Sequence, residues 1–320
     1  MSDIEIRNVA KSYGTVTALD DVSLSVDGGE TVGLVGRNGA GKTTLFKLLV
    51  GHETPDAGRV SVAGLAPSAG TALRERVGYL PERAGFPPSF TGHEVLDFHA
   101  RVRGVSGRER RVQRVLKTVG LADAADRRVG GYSNGMNRRL GLATALVGNP
   151  DVLLLDEPTA ALDPAGVADF HEVVDALSRE TGVTILVTSH VLSEIERLCD
   201  RVAILDDGTI ERAGNVADLR RTAGDTVSVV ATVDDDPDAV ARRLRERDGV
   251  ATATANPPRI RAECERDCVF DVLAALRDTA DVVDVEVTEP GLAAVFQGTV
   301  TGDHGVELAT EDRTGDGGHA

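Results

Sequence analysis

The stretch from Gly36 to Thr44, GRNGAGKTT, contains the residues best suited to chemistry in this sequence. It fills every fixed position of the pattern G-x-x-x-x-G-K-[ST]. Glycines let the backbone turn tightly, so that successive N–H groups point at phosphate oxygens. Lys42 is expected to reach the β- and γ-phosphates of a nucleotide, and the Thr43 hydroxyl to ligate Mg²⁺. The predicted binding residues of this loop are Gly36, Asn38, Gly39, Gly41, Lys42, Thr43 and Thr44.

Two carboxylates, Asp156 and Glu157, follow the run DVLLL, which is typical of a buried parallel strand. Ligand sites in open α/β sheets lie at the carboxyl ends of such strands. Asp156 suits Mg²⁺, directly or through a water molecule, and Glu157 is placed to polarise a water that attacks the γ-phosphate. The alternative, a pair of carboxylates on a surface turn, agrees poorly with the apolar residues before them.

Three further positions carry weaker signals, and each has a structural alternative. His190 ends the run VTILVTSH, where an imidazole either reaches the γ-phosphate or serves a structural role. Ser133 and Gly135 stand ahead of a long helix, where they either offer donors to a phosphate or Ser133 caps the helix. Tyr13 precedes Gly14 on a predicted loop, and its ring either stacks on a purine base or lies half-buried at an edge.

Hydrophobic periodicity predicts the elements that position these residues. The segments IEIRNVAKSYG and LDDVSLSV alternate as strands do, and TVGLV is the buried strand that enters the phosphate loop. An apolar helix from Leu45 to Val50 follows the loop, and its positive end faces the phosphates. From Thr91 to about Val129 the period becomes helical. The pattern therefore predicts an α/β domain that contains a helical insert.

The predicted domains are an α/β domain over 1–220, with its helical insert at about 91–130, and a small α+β unit over 225–300. The small unit carries segments in the order β-α-β-β-α-β. The stretch 301–320 is polar and glycine-rich, so we expect a disordered acidic tail.

Composition limits the class of protein. The chain of 320 residues has 35 basic and 51 acidic residues, a formal net charge of -16, which disfavours nucleic acid as a partner. The same excess, with few lysines beside the arginines, suggests a salt-adapted source.

Neither a signal segment at MSDIEIRNVA nor about 18 uninterrupted apolar residues is found, so we expect a soluble, intracellular protein. Cys264 and Cys268 have a metal-like spacing but no nearby histidine, which favours ordinary thiols.

The order of GRNGAGKTT, YLPE, YSNGM, VLLLDEPTAALD and TSH resembles the nucleotide-binding subunit of ATP-binding-cassette (ABC) transporters, over roughly residues 3 to 220. The resemblance implies a P-loop NTPase of the ABC type that binds ATP and Mg²⁺. It also implies two such domains that meet head to tail around two ATP molecules, here a homodimer, and a separate integral membrane permease. The subunit is then expected in the cytoplasm, peripheral on the inner face of the cell membrane.

The resemblance also implies a role for each matching residue. Tyr13 matches the adenine-stacking aromatic, and Lys42 with Thr43 the Walker A pair. Asp156 matches the Walker B aspartate, Glu157 the catalytic base and His190 the switch histidine. The remaining matches are Ser133 and Gly135 in the signature segment (Tyr132–Met136), which faces the ATP of the partner subunit, and Asp163 in the D-loop.

The sequence departs from the family pattern at two places. Glu82 in YLPE stands where glutamine is commonest, and it remains a candidate ligand for Mg²⁺ or water. The signature segment has Tyr132, Asn134 and Met136 where Leu, Gly and Gln are commoner. Both features resemble the branch that exports drugs, lipids or polysaccharides, and also the ATPase subunit that serves copper-site maturation of nitrous oxide reductase.

Two functions follow from these observations. The first is an ATPase subunit that powers a separate permease, and the resemblance to the export branch predicts an exporter. The alternative is a soluble ATP switch of the same superfamily, acting in translation or chromosome maintenance. The single cassette, the lack of a long coiled coil between Lys42 and Ser133, and the acidic charge disfavour the alternative.

Overall fold

The computed structural model describes residues 2–222, 226–288 and 292. Within these ranges the strands are β1 (Ser2–Tyr13), β2 (Val16–Asp27), β3 (Thr31–Val35), β4 (Ala57–Val62), β5 (Val77–Leu80), β6 (Val152–Leu155), β7 (Thr184–Ser189), β8 (Arg201–Asp206), β9 (Thr209–Asn215), β10 (Thr226–Val233), β11 (Val250–Asn256), β12 (Arg259–Glu265) and β13 (Val282–Thr288). The α-helices are α1 (Lys42–Leu49), α2 (Thr71–Arg76), α3 (Gly92–Val102), α4 (Arg108–Thr118), α5 (Asn134–Leu146), α6 (Pro164–Thr181), α7 (Leu192–Leu198), α8 (Val216–Thr222), α9 (Pro237–Arg245) and α10 (Val269–Thr279).

The central sheet has the order β5-β6-β7-β3-β8-β9. All neighbours in it are parallel except β8 and β9, which pair antiparallel. The strands β3, β6 and β7 are buried along their whole length, as their continuous apolar runs predict. Because β6, β7 and β3 are adjacent and parallel, the segments that follow them emerge at one edge of the sheet.

A second sheet, β2-β1-β4, is antiparallel and shares an apolar core with α1 and one face of the central sheet. Tyr13 is the last residue of β1 rather than a loop residue, because β1 pairs with β2 up to its final position. The helix α1 begins at Lys42, three residues before the predicted start. Lys42 and Thr43 therefore belong to the first helical turn.

The helical insert contains α3 and α4, which pack against α5. Thr91 and Glu94 form a capping box at the start of α3, where each side chain accepts a hydrogen bond from the other residue's backbone N–H. Tyr132 is buried, and its hydroxyl donates to the carbonyl of Ala124 at 2.7 Å. A Cβ on Gly92 would lie only 2.3 Å from that hydroxyl, so the tyrosine fixes where the signature segment leaves the insert.

The strands and helices from β10 to β13 follow the order β-α-β-β-α-β and form an antiparallel sheet ordered β11-β12-β10-β13. This sheet and its two helices, α9 and α10, enclose a core of their own. Cys264 is buried in that core, and the described residues contain no cluster of three or more His, Cys, Asp or Glu fit for a metal ion. The division at residues 220 and 225 remains a prediction.

Leu292 is fully buried in the core of the first domain, and its N–H donates to the carboxylate of Glu196 on α7. The rest of EPGLAAVF after Thr288, and the predicted acidic tail over 301–320, lie outside the described residues. Among the residues that are described, none of the helices has the length and apolar character that crossing a bilayer requires.

Candidate functional site

The phosphate loop joins β3 to α1 and lines a cavity of about 200 Å³. Gly41 has φ 107°, and a Cβ there would lie 2.5 Å from the carbonyl oxygen of Ala18, so the loop requires glycine at this position. The residues lining the cavity are Ala18, Arg37, Asn38, Gly39, Gly41, Lys42, Thr43, Thr44, Glu82 and Glu157. Because α1 starts inside this loop, the positive end of its dipole faces the cavity.

Lys42 is buried at the base of this cavity. Its Nζ donates to the carbonyl oxygens of Gly36 at 2.6 Å and Arg37 at 3.2 Å, and lies 3.6 Å from Oε1 of Glu157. The lysine therefore holds the loop closed on itself and places a positive charge between the loop and the carboxylate that faces it.

Asp156 lies behind the cavity, at the carboxyl end of β6. The Thr188 hydroxyl donates to its Oδ1 at 2.9 Å, and the Tyr79 hydroxyl to its Oδ2 at 3.3 Å. Burial raises the pKa of the Asp156 carboxyl, and these two hydrogen bonds oppose that rise. Together with the oxygens of Thr43 and Glu82, this carboxylate supplies the hard oxygen donors that Mg²⁺ prefers, so the residues fit that ion.

Glu157 and His190 meet across the ends of two adjacent strands. His190 Nδ1 lies 2.8 Å from Glu157 Oε2, and the Glu157 N–H donates to the Thr188 hydroxyl at 2.9 Å. Glu157 has φ 44°, in the left-handed region that residues other than glycine seldom occupy. The strained turn directs its carboxylate into the cavity, where a nucleotide's phosphates would lie.

Tyr13 stands beside the phosphate loop and is exposed, at 43% of its surface. Its hydroxyl contacts the carboxylate of Glu53, and the Nζ of Lys11 lies 5.5 Å from the ring centre. Burial, followed by the contact with Glu53, raises the pKa of this phenol. The aromatic face is therefore held in place by polar contacts at the edge of β1.

Ser133, Gly135 and Asp163 lie outside the residues that line the cavity. The Ser133 hydroxyl accepts from the N–H of Met136 at 3.2 Å, so it caps α5, and Asp163 caps α6 by accepting from Gly166 at 2.8 Å. A Cβ on Gly135 would have its nearest neighbours at 3.9 and 4.0 Å, from Ser133 and Gly166. The starts of α5 and α6 thus form a separate group, in which no described residue requires glycine at position 135.

Arg138 is the site residue that sequence reasoning missed. It lies on α5, is 7% exposed, and sends hydrogen bonds to five backbone carbonyls around the site. Burial lowers the pKa of its guanidinium to about 10, which leaves it charged at neutral pH. Its only sequence signal is one of two adjacent arginines near the start of a helix, and such residues usually lie on a solvated face.

A parallel sheet with a phosphate loop before α1 and with paired carboxylates at the same edge defines an ATP-hydrolysing P-loop domain. The family model for ABC transporters matches residues 19–160. The chain is also 32% identical over 302 residues to the linearmycin resistance ATP-binding protein LnrL of Bacillus subtilis (strain 168), covering 92% of this chain and 96% of that protein. The chain belongs to the ATP-binding subunits of ABC transporters, a family that hydrolyses ATP.

Other similar proteins and solved structures belong to the same family of ATP-binding subunits. The Nod factor export ATP-binding protein I of Burkholderia orbicola (strain AU 1054) is 44% identical over 211 residues, 65% of this chain and 69% of that protein. Among solved structures, the ATP-binding subunit of an ABC transporter superposes with a TM-score of 0.62 and 31% identity, covering 68% of this chain and 92% of that one. The dimeric post-hydrolysis state of the cassette MJ0796, bound to ADP and Pi, has a TM-score of 0.60 and 26% identity, covering 66% and 98%.

These relatives support the first of the two functions, an ATP-binding transporter subunit, over a soluble ATP switch. They are named for export and resistance, in keeping with the predicted exporter branch. The salt-adapted source stays a prediction from composition.

Proposed function

We propose that this chain is the motor subunit of an exporter, working as a homodimer with Mg²⁺ and ATP on the inner face of the membrane, beside a separate permease. One observation carries the proposal. The phosphate loop and Glu157, which His190 contacts, line one cavity, whereas Ser133 and Gly135 form a separate group outside it. One copy therefore offers half of a site together with a segment suited to completing another.

Within one site, the roles follow from the contacts. Lys42 and the loop N–H groups bind the β- and γ-phosphates, while Tyr13 stacks on the adenine. Glu157 accepts a hydrogen bond from the attacking water and orients it, and His190 holds that carboxylate and contacts the γ-phosphate. Thr43, Asp156 and Glu82 would hold Mg²⁺, which would supply positive charge beside the phosphates.

The second copy completes the site. We assign the surface beside Gly135 to the approach of the partner's nucleotide, because among the described residues a Cβ there would make only ordinary van der Waals contacts, at 3.9 and 4.0 Å. The N-termini of α5 and α6 offer positive dipole ends at that surface. Ser133 and Gly135 then contact the partner's ATP, and Asp163 lies between the two sites.

The permease docks, in this proposal, at a groove on the other side of Tyr79. The groove is a cavity of about 400 Å³, and apolar side chains exposed nearby include Phe98 (56%) and Val102 (71%). Its lining residues are Val50, His52, Thr71, Leu73, Arg74, Glu75, Val77, Tyr79, Val102 and Arg103. Because Tyr79 lines the groove and also donates to Asp156, a helix seated there would press directly on the catalytic edge.

The proposal is tested by purifying the tagged chain from detergent-solubilised membranes. We expect an integral membrane protein to co-purify, and a Val102→Glu substitution to lose it while the soluble chain keeps its nucleotide affinity. Arg128→Glu, an exposed change on the loop before the signature segment and outside the groove, is the matched control and should retain the partner. Recovery with ribosomes or DNA and no membrane protein would contradict the proposal.

Magnesium is tested separately by nucleotide binding. The affinity for ATP should rise when Mg²⁺ is added to the native chain, and Asp156→Asn should remove most of that gain. An equal affinity with Mg²⁺ and with a chelator would exclude the assigned ligands.

A further inference from the structure

Arg138 joins the signature helix to the catalytic edge. Its two terminal nitrogens donate to four carbonyls, those of Pro81 at 2.7 Å, Glu82 at 2.9 Å, Asp156 at 2.8 Å and Glu157 at 2.7 Å. Its Nε donates to Pro158. Arginine has five N–H donors, and all of them are used here.

These five carbonyls belong to two segments with which α5 makes no backbone hydrogen bonds in the described part of the chain. Pro81 and Glu82 follow β5, and the residues Asp156–Pro158 form the turn that follows β6. Carbonyl oxygens carry partial negative charge, so their hydrogen bonds offset the cost of burying the guanidinium charge. The carboxylates of Asp156, Glu82 and Glu157 also favour its charged form. The strained φ of Glu157 lies inside this arrangement. Arg138 thus fixes the backbone that aims the Glu157 carboxylate.

The signature segment lies at the N-terminal end of α5, the helix that carries Arg138. Ser133 caps α5, and Arg138 follows little more than one helical turn later. A helix moves as a rigid unit over this length, so a displacement of its N-terminus moves the guanidinium by a similar amount. The carbonyls of Asp156 and Glu157 would then follow it.

We propose that Arg138 is a positioning residue that couples the two ATP sites of the dimer. This inference rests on the proposed head-to-tail homodimer. When the signature segment closes on the partner's ATP, α5 shifts, and Arg138 carries that shift to Glu157 of its own chain. Hydrolysis at one site thereby depends on occupancy of the other.

The test compares Arg138→Lys with Arg139→Lys in the full-length chain. Lysine keeps the charge but lacks the planar fork, so it cannot satisfy five carbonyls at once. The neighbour Arg139 makes one long contact, to Gly120 at 3.4 Å, and is the matched control. We expect Arg138→Lys to keep the ATP dissociation constant within about twofold while kcat falls at least about tenfold, because a misplacement of about 1 Å can cost up to about 100-fold. Arg139→Lys should leave both values unchanged.

Cooperativity separates coupling from a structural role. The native chain should show a Hill coefficient above one for ATP, and Arg138→Lys should bring it to one with native-like ATP binding, even where the unsatisfied carbonyls lower the melting temperature. A melting temperature lowered together with weaker ATP binding would assign Arg138 to the fold alone and overturn the inference. An unchanged kcat and Hill coefficient would overturn it as well.

A mixed dimer locates the effect. One subunit carries Glu157→Gln, so hydrolysis depends on the Glu157 of the other. Arg138→Lys placed on the subunit with native Glu157 should lower both the rate and the cooperativity, and placed on the Glu157→Gln subunit it should leave both unchanged, because Arg138 acts on the Glu157 of its own chain. Equal loss of rate from both placements would overturn the assignment. A native chain that neither hydrolyses ATP nor dimerises would instead contradict the proposed function.

Discussion

His190 Nδ1 lies 2.8 Å from Oε2 of Glu157, although 33 positions separate the two residues in the chain. On the other side, Lys42 Nζ lies 3.6 Å from Oε1 of the same carboxylate. Glu157 is thus held between the histidine that follows β7 and the lysine of the phosphate loop. Such a carboxylate is fixed in orientation and faces the cavity where the γ-phosphate would lie.

Glu157→Gln should abolish turnover and leave ATP binding intact. The amide keeps the shape of the side chain but cannot take up a proton from water, and such groups contribute about 10²- to 10⁴-fold to a rate. We therefore expect kcat to fall at least about 100-fold and a nucleotide-bound dimer to accumulate, as measured by phosphate release and by size-exclusion chromatography with ATP. Glu180→Gln, exposed on α6, is the control. Hydrolysis at the native rate would show that Glu157 is not the base.

Lys42→Ala should weaken nucleotide binding itself. The lysine supplies the positive charge at the base of the loop, and a charge-assisted bond to a phosphate is among the stronger hydrogen bonds. Titration calorimetry should find ATP bound at least about tenfold more weakly, since about 1.4 kcal/mol is a factor of ten. Lys47→Ala, on the exposed side of α1 beside Glu53, should keep the native affinity. Equal affinities for both variants would contradict the loop assignment.

Glu194→Ala should slow hydrolysis without weakening ATP binding. The Glu194 Oε2 accepts from the hydroxyls of Thr159 at 2.5 Å and Ser189 at 3.0 Å, which joins the segment after Glu157 to the residue before His190. Removing the carboxylate frees both segments, and we expect the melting temperature to fall by about 2–4 °C for each 1 kcal/mol lost.

Glu194→Gln retains an acceptor oxygen and should recover most of kcat. Glu172→Ala, exposed on α6, should have no effect. If the alanine and glutamine variants were equally active, the hydrogen bonds of Glu194 would have no part in positioning the site.

His171 should make the fold less stable as the pH falls through about 6.5. It is 2% exposed on α6, and neither ring nitrogen has a hydrogen-bond partner in the described part of the chain. Burial lowers its pKa; Glu194 and Asp175 oppose that change and Arg197 adds to it. The unfolded chain therefore takes up a proton first on acidification, and folding free energy is lost from about pH 6.5 down to the lower pKa of the folded state.

The measurement is the free energy of unfolding by denaturant at several pH values between 8 and 5. His171→Leu should lose less stability over this range than the native chain, and a tenfold difference in proton affinity corresponds to about 1.4 kcal/mol. Half-buried His99, whose pKa partial burial also lowers, still contributes in both proteins. His52→Gln, an exposed change, should keep the native pH dependence. The same dependence in His171→Leu and the native chain would assign it to other groups.

The sequence by itself determined the phosphate loop, the carboxylates Asp156 and Glu157, and the position of His190 after a buried strand. Each signal is local, because it consists of residue types at fixed spacing beside a continuous apolar run. The parallel-sheet rule then placed these groups at one edge, since the carboxyl ends of parallel strands meet there. The start of α1 and the end of β1 each differ by up to a few residues from the bounds predicted from sequence. Strand pairing and helix hydrogen bonds set these ends.

Only the tertiary structure decided which side chains touch. Nothing in the order of residues places Arg138 beneath the carbonyls of Asp156 and Glu157, or Glu194 between Thr159 and Ser189. Those contacts join positions 5 to 35 residues apart and depend on how α5 and α7 pack on the sheet. Periodicity gives the buried face of a helix, but the packing angle and the side-chain rotamer fix the hydrogen-bond partner. The chemical groups of the site could therefore be predicted from the sequence, whereas the side chains that hold them in place could not.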